Sequence, residues 1–193
     1  MSSSLLLLRN LTTTFHPLSE MEWQAFSKIW QPFRAKRKEV LTLAGETERY
    51  LYFVLEGVQR VFFEHQTREA TLVFTYSPSF GGVFDSLMQQ KPSRFFYETL
   101  SPSFFLRAPA TDFLQLLEGN PGIEKMVRKG LTYTLAGMME RMVEWECFSS
   151  EERFRKLLQR SPHILQLVPH KYLANYIGID PTNFSKLMNS VRI

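Results

Sequence analysis

The sequence is short of the residues that several functional classes require. A single cysteine, Cys147, stands among 193 residues. That excludes an intramolecular disulfide framework, a CxxC redox pair and a four-thiolate metal or iron–sulfur cluster. It also sets the expectation of a reducing, cytoplasmic compartment. Histidines number only four, and the spacing of His163 and His170 matches no metal motif. A β-rich oxygenase or isomerase needs two or three histidines converging with a carboxylate. The strand-rich part of this chain offers His65 alone. GxSxG, HExxH, P-loop and GxGxxG patterns are missing as well, so no enzyme is expected and no metal site is assigned.

Long apolar runs are scarce too. Leu5–Leu8 is closed by Arg9 and Asn10, and so falls short of the ~7 apolar residues of a secretory leader. Nothing approaches the ~20 residues of a membrane span, and no membrane partner is expected. What remains is a globular composition, 44% hydrophobic and 22% charged, with material for a sizeable core.

The net charge of +4 is small, but it is unevenly placed. Residues 1–150 hold 16 basic and 16 acidic side chains, whereas residues 151–193 hold seven basic and three acidic ones. The whole excess sits in the tail, which points to an anionic partner there.

Periodicity divides the chain into three parts. Residues 17–33 have helical spacing, with Trp23, Phe26, Ile29 and Trp30 on one face and a Ser19/Glu22 capping box. Residues 40–45, 50–57, 58–64, 69–76, 94–100 and 104–109 read as strands, and Glu56-Gly57 as a hairpin turn. Such spacings predict an α+β chain with an antiparallel roll or sandwich. Helical spacing returns at 110–121 and over a long helix, 122–147. On that helix Leu131, Leu135, Met138, Met142 and Trp145 form a 3-4 stripe. The stripe fits either the chain's own core or a dimer seam. The expected organisation is a roll with flanking helices over 1–121, a connecting helix over 122–148, and a C-terminal domain over 149–193.

The tail carries the sharpest motif. Tyr172-Leu173-Ala174 and Tyr176-Ile177 form an amphipathic helix that Gly178 ends; Asp180 caps the next helix and Pro181 takes its first position. Phe184, Leu187 and Met188 face inward, leaving Thr182, Asn183 and Lys186 outside. This is a helix-turn-helix pattern, and a plain helical hairpin is its alternative. As a DNA reader, Lys186 would reach guanine or phosphate, Asn183 adenine, and Thr182 a phosphate or thymine methyl, with Lys171 adding charge.

The segments AGETERYLYFVLEGVQRV (44–61) and LANYIGIDPTNFSKL (173–187), joined by a long helix, resemble the Crp/Fnr family of bacterial transcription regulators. That resemblance implies a cyclic-nucleotide-binding-like roll, a homodimer through the long helix, and double-stranded DNA as partner. RNA polymerase and a small anionic effector are further partners it suggests. The effector would meet Gly81, Gly82, Asp85, Ser93 and Arg94. The match departs from the family where a cyclic nucleotide is held, since Gly82 replaces the usual glutamate and Phe95 follows Arg94. No cofactor is therefore assigned with certainty, and a cyclic nucleotide stays open as the ligand. The chain's last residues also leave no room for the β-hairpin wing of many relatives, so more salt-sensitive DNA binding is expected. The alternative function is a dimerisation module without DNA binding.

Overall fold

The computed structural model describes residues 2–190. The expectation of a missing wing, and the charge of Arg192, rest on residues 191–193, outside the described residues. The chain opens with helices α1 (Ser3–Phe15) and α2 (Glu20–Lys28). Leu8 of α1 is fully buried, which the short leucine run alone did not reveal. The Ser19/Glu22 capping box is present at the head of α2. The predicted helix over 17–33 is too long, because Gln31–Ala35 forms strand β1. Pro32 is tolerated there since β1 lies at the edge of its sheet.

Seven further strands follow: β2 (Val40–Thr42), β3 (Tyr50–Glu56), β4 (Val58–His65), β5 (Arg68–Tyr76), β6 (Ser79–Gly81), β7 (Phe96–Thr99) and β8 (Ser103–Pro109). A short helix, α3 (Phe84–Gln89), interrupts them. They form two antiparallel sheets, ordered β1-β8-β3-β6 and β2-β7-β4-β5. Glu56-Gly57 is therefore not a hairpin between paired strands. It is the corner where the chain leaves one sheet for the other, with Gly57 at φ +85° packed against Pro102 and Ser103.

Alternation along the strands divides the core. Tyr52, Val54, Val61, Tyr97 and Phe105 fill the space between the sheets. Leu51, Phe53, Leu106 and Ala108 point the other way, onto Leu8, Trp23, Phe26 and Phe113 of the helical layer.

Helices α4 (Ala110–Gly119) and α5 (Pro121–Cys147) lead away from the roll, and α6 (Ser150–Arg160), α7 (Ile164–Leu167), α8 (His170–Ile177) and α9 (Pro181–Ser190) complete the tail. The first turns of α5 are anchored by Ile123 and Met126. From Leu131 to Glu140 every residue of it is exposed. A third apolar cluster joins the tail to the roll: Val58, Phe74 and Leu100 pack with Phe154, Leu157, Ile164, Leu173, Ile177 and Phe184.

Candidate DNA-reading helix and effector cavity

The turn between α8 and α9 is built from backbone chemistry. Gly178 adopts φ +70°, and its N–H donates to the Asn175 carbonyl at 3.1 Å while the Ile179 N–H donates to Ala174 at 3.0 Å. This is a Schellman stop, which satisfies carbonyls that the helix end leaves free. Ala174 is fully buried, as a close crossing of the two helices demands. Asp180 caps α9 by accepting the Asn183 N–H at 2.9 Å, and that bond holds its carboxyl below the usual aspartate range.

On α9, Phe184 is fully buried against Phe154, and Leu187 and Met188 are half-buried. Thr182, Asn183, Ser185, Lys186 and Asn189 are exposed. The side-chain amide of Asn183 donates to Asp180, which orients it beside the cap. Lys171 lies at the start of α8, with its ammonium 4.7 Å from the Tyr172 ring centre. The structure thus places Thr182, Asn183 and Lys186 on the exposed side of α9, and Lys171 on α8.

Several polar contacts bind this unit to the roll. The Asn175 amide bridges β5, accepting from the Thr71 N–H and donating to the Glu69 carbonyl, both at 2.6 Å. Arg60 and Glu98, both buried in the roll, pair at 2.6 Å, and Arg60 also reaches Glu69 at 2.7 Å. The Arg60 guanidinium lies 4.2 Å from the Tyr172 ring centre, and Lys38 donates to the Tyr172 hydroxyl. Burial opposes ionisation of that hydroxyl. The Lys38 and Lys171 hydrogen bonds, with the field of Lys38 and Arg60, outweigh it and hold Tyr172 below the ordinary tyrosine range. On the α5 side, Arg141 donates to the Leu72 carbonyl and stacks 3.8 Å from the Tyr176 ring, while Glu144 pairs with Arg160 of α6.

The residues expected to hold an effector lie at the end of β6, at the head of α3 and in the segment before β7. Gly81 ends β6 and Gly82 follows it, both facing the roll interior. A Cβ on Gly81 would collide with the Tyr97 hydroxyl, which lies 3.0 Å from Thr75 Oγ1. A Cβ on Gly82 would lie 3.3 Å from Glu48 Oε2. That carboxylate is buried. It accepts from Thr42 Oγ1 at 2.6 Å, the Val83 N–H at 2.9 Å and the Tyr50 N–H at 3.2 Å. Burial raises the Glu48 pKa and these hydrogen bonds moderate the rise. The amide that opens α3 is therefore already paired with a carboxylate of the chain. Ser93 spends its hydroxyl on Phe95 and its backbone on Gly45 and Glu46. Asp85 and Arg94 are exposed, and the Arg94 guanidinium lies 5.6 Å from the Phe63 ring centre.

No family model matches the sequence, and no curated relative matches it. Solved structures do. The structure of FixK2 from Bradyrhizobium japonicum superposes with a TM-score of 0.74 at 14% identity, over 83% of this chain and 83% of that one. The c-di-GMP responsive global regulator CLP of Xanthomonas campestris gives 0.69 at 14% identity, over 89% and 90%. The catabolite activator protein of Thermus thermophilus gives 0.56 at 21% identity, over 91% and 84%. The chain has the Crp/Fnr regulator fold.

Within the Crp/Fnr fold, the stripe on the long helix takes a definite position. Leu131, Leu135, Met138, Met142 and Trp145 are 41–68% exposed, so the stripe is not core of this chain. Trp145 also turns its ring onto Gly178 and lies 5.1 Å from the Arg153 guanidinium. Sequence patterns assign no role to Glu48 or Asn175 and no contact with the roll to Tyr172, because Val83, Thr71 and Lys38, which they meet, are distant in the chain. No group of three or more metal-ligating side chains occurs among the described residues, and no described helix is long and apolar enough to cross a membrane.

Proposed function

We propose that the protein is an effector-responsive DNA-binding transcription regulator of the Crp/Fnr type, acting as a homodimer on a palindromic site. The observation that carries this reading is α9: a capped helix, packed through Phe184, with Thr182, Asn183, Ser185 and Lys186 all open to a partner. Side chains that donate in this pattern at a helix N-terminus suit base edges and phosphates in a major groove. The FixK2, CLP and catabolite-activator likenesses support the same reading at the level of fold.

Helix α5 supports the homodimer. An apolar stripe of five residues on a helix that leaves the roll is a surface that water covers poorly. Pairing two such helices buries it and sets two α9 helices for half-sites about 34 Å apart. Trp145 on Gly178, Arg141 on Tyr176 and Glu144 on Arg160 connect this helix to the reading unit. A shift of α5 against the roll would thus move α9, and an effector acts by favouring one packing over another. We assign no cyclic nucleotide, because Glu48 and Tyr97 back the glycine pair. RNA polymerase is the partner through which such a regulator would act.

Selection of bound genomic fragments by the full-length protein, with binding followed against salt, tests the reading. Salt-dependent binding to a palindrome supports it. A dimer with no DNA binding at any salt would favour a dimerisation module instead.

A further inference from the structure

A cavity of about 160 Å³ opens at one end of the roll, lined by Phe33, Leu41, Thr42, Tyr50, Tyr52 and Arg107 among others. None of Gly81, Gly82, Asp85, Ser93 or Arg94 lines it. Arg107 sits on β8, between β1 and β3, two residues from the buried Phe105 and on the same face of the sheet. Its guanidinium lies 4.0 Å from the Phe33 ring centre and 4.3 Å from that of Tyr50. Rings of the two neighbouring strands thus lie against the cation and take part of its surface from water.

Arg107 has no acidic group within 4.0 Å among the described residues, and its side chain makes no hydrogen bond there. Three acids share the lining, of which Glu46 is exposed and the other two have partners. Glu48 serves Thr42, Tyr50 and Val83, and Glu39 Oε2 accepts the Lys36 N–H at 2.7 Å. Arg49 adds a second cation to the lining. A half-buried guanidinium set against two rings, with no acid paired to it, keeps N–H groups for a fork-shaped acceptor. A cavity near 160 Å³ is the size that takes one small ring, as engineered cavities of about 150 Å³ do.

We propose that this cavity binds a small oxyanion, a carboxylate or a phosphate, with Arg107 as its bidentate partner and Phe33, Leu41 and Tyr52 around its body. The site stands apart from DNA reading, so its test does not depend on that function. Benzoate and inorganic phosphate are titrated calorimetrically into the full-length protein in chloride buffer, and into Arg107→Gln and Arg107→Lys. At least one probe saturates a single site per chain, and Arg107→Gln weakens it by about tenfold or more. Arg107→Lys, which keeps charge but loses the fork, falls between. Benzoate alone marks a carboxylate site, phosphate alone a phosphate site, and both together a general oxyanion site. Neither probe binding, or Arg107→Gln binding like wild type, overturns the proposal. Amide shifts in the wild-type protein provide a check that needs no variant: they move at residues 33, 42, 50 and 107, and movement confined to other parts of the chain refutes the site.

Discussion

The indole of Trp145, near the end of the long helix, packs directly on Gly178, the left-handed glycine that turns α8 into α9. A side chain at 178 would meet two obstacles at once, the positive φ and the ring. Gly178→Ala is expected to destabilise the protein by about 1 kcal/mol from the backbone term alone, with the collision added to it. Trp145→Ala/Gly178→Ala removes the collision. Thermal melts of the two single variants and the double should therefore show a double variant less damaged than the sum. Simple additivity would mean that the two residues are not coupled.

Lys186 and Asn183 separate affinity from specificity. Lys186→Ala should weaken binding to all DNA sequences alike and lower the salt slope by about 1 per subunit. Asn183→Ala should relax discrimination at one base position by about 1–3 kcal/mol while leaving the salt slope unchanged. Competition binding at several salt concentrations distinguishes the two.

The exposed stripe of α5 predicts a change of assembly. Met138→Glu with Met142→Glu places two charges where the partner helix would pack, and both positions face solvent in the single chain. Light scattering should show a monomer of wild-type melting behaviour below the dimer concentration range. A variant that stays dimeric would place the interface elsewhere.

Within the roll, Arg60 is held by Glu98 and Glu69 in a buried setting. Glu98→Ala leaves the guanidinium without its closest acid and is expected to cost about 3 kcal/mol. Because Arg60 lies over Tyr172, the same variant should speed amide exchange at Thr71, whose N–H is bonded by the tail's Asn175. Chemical denaturation and hydrogen exchange measure the two effects.

Glu48 gives a pH signature. Burial raises its folded pKa, so between the ordinary glutamate value and the raised one the folded state holds a proton that the unfolded state releases. Stability from this group is complete below the ordinary glutamate range and falls as pH rises through the raised value. Asp180 and Glu152 act oppositely. Their hydrogen bonds lower their pKa values, so their contribution is present above the ordinary carboxylate range and lost at lower pH. Melts of Glu48→Gln against pH should lack the decline that begins above the ordinary glutamate range and keep the loss at lower pH.

Local signals carried much of this structure. The Ser19/Glu22 and Ser149/Glu152 boxes, Gly178, and the inward Phe184 all stand where short-range chemistry puts them. What local signals missed was long-range. The helical spacing through Trp30 concealed β1, because an edge strand accepts Pro32. Glu56-Gly57 looked like a hairpin because turn chemistry does not say which sheet the next strand joins. The Glu48 carboxylate beside Gly82 joins residues 34 positions apart, and the Asn175 bond to β5 spans more than 100. Such pairings arise from the roll's closure and from the tail packing on it, and no periodicity encodes them.

The most direct test of the central claim is a footprint of the full-length protein on DNA fragments selected from genomic sequence. The account predicts two protected major-groove segments related by two-fold symmetry and centred about one helical turn, ~34 Å, apart. Affinity should fall steeply with salt, and the footprint should be lost with Met138→Glu/Met142→Glu. Binding absent at all salt concentrations, or a single unpaired half-site protected by a monomer, would contradict it.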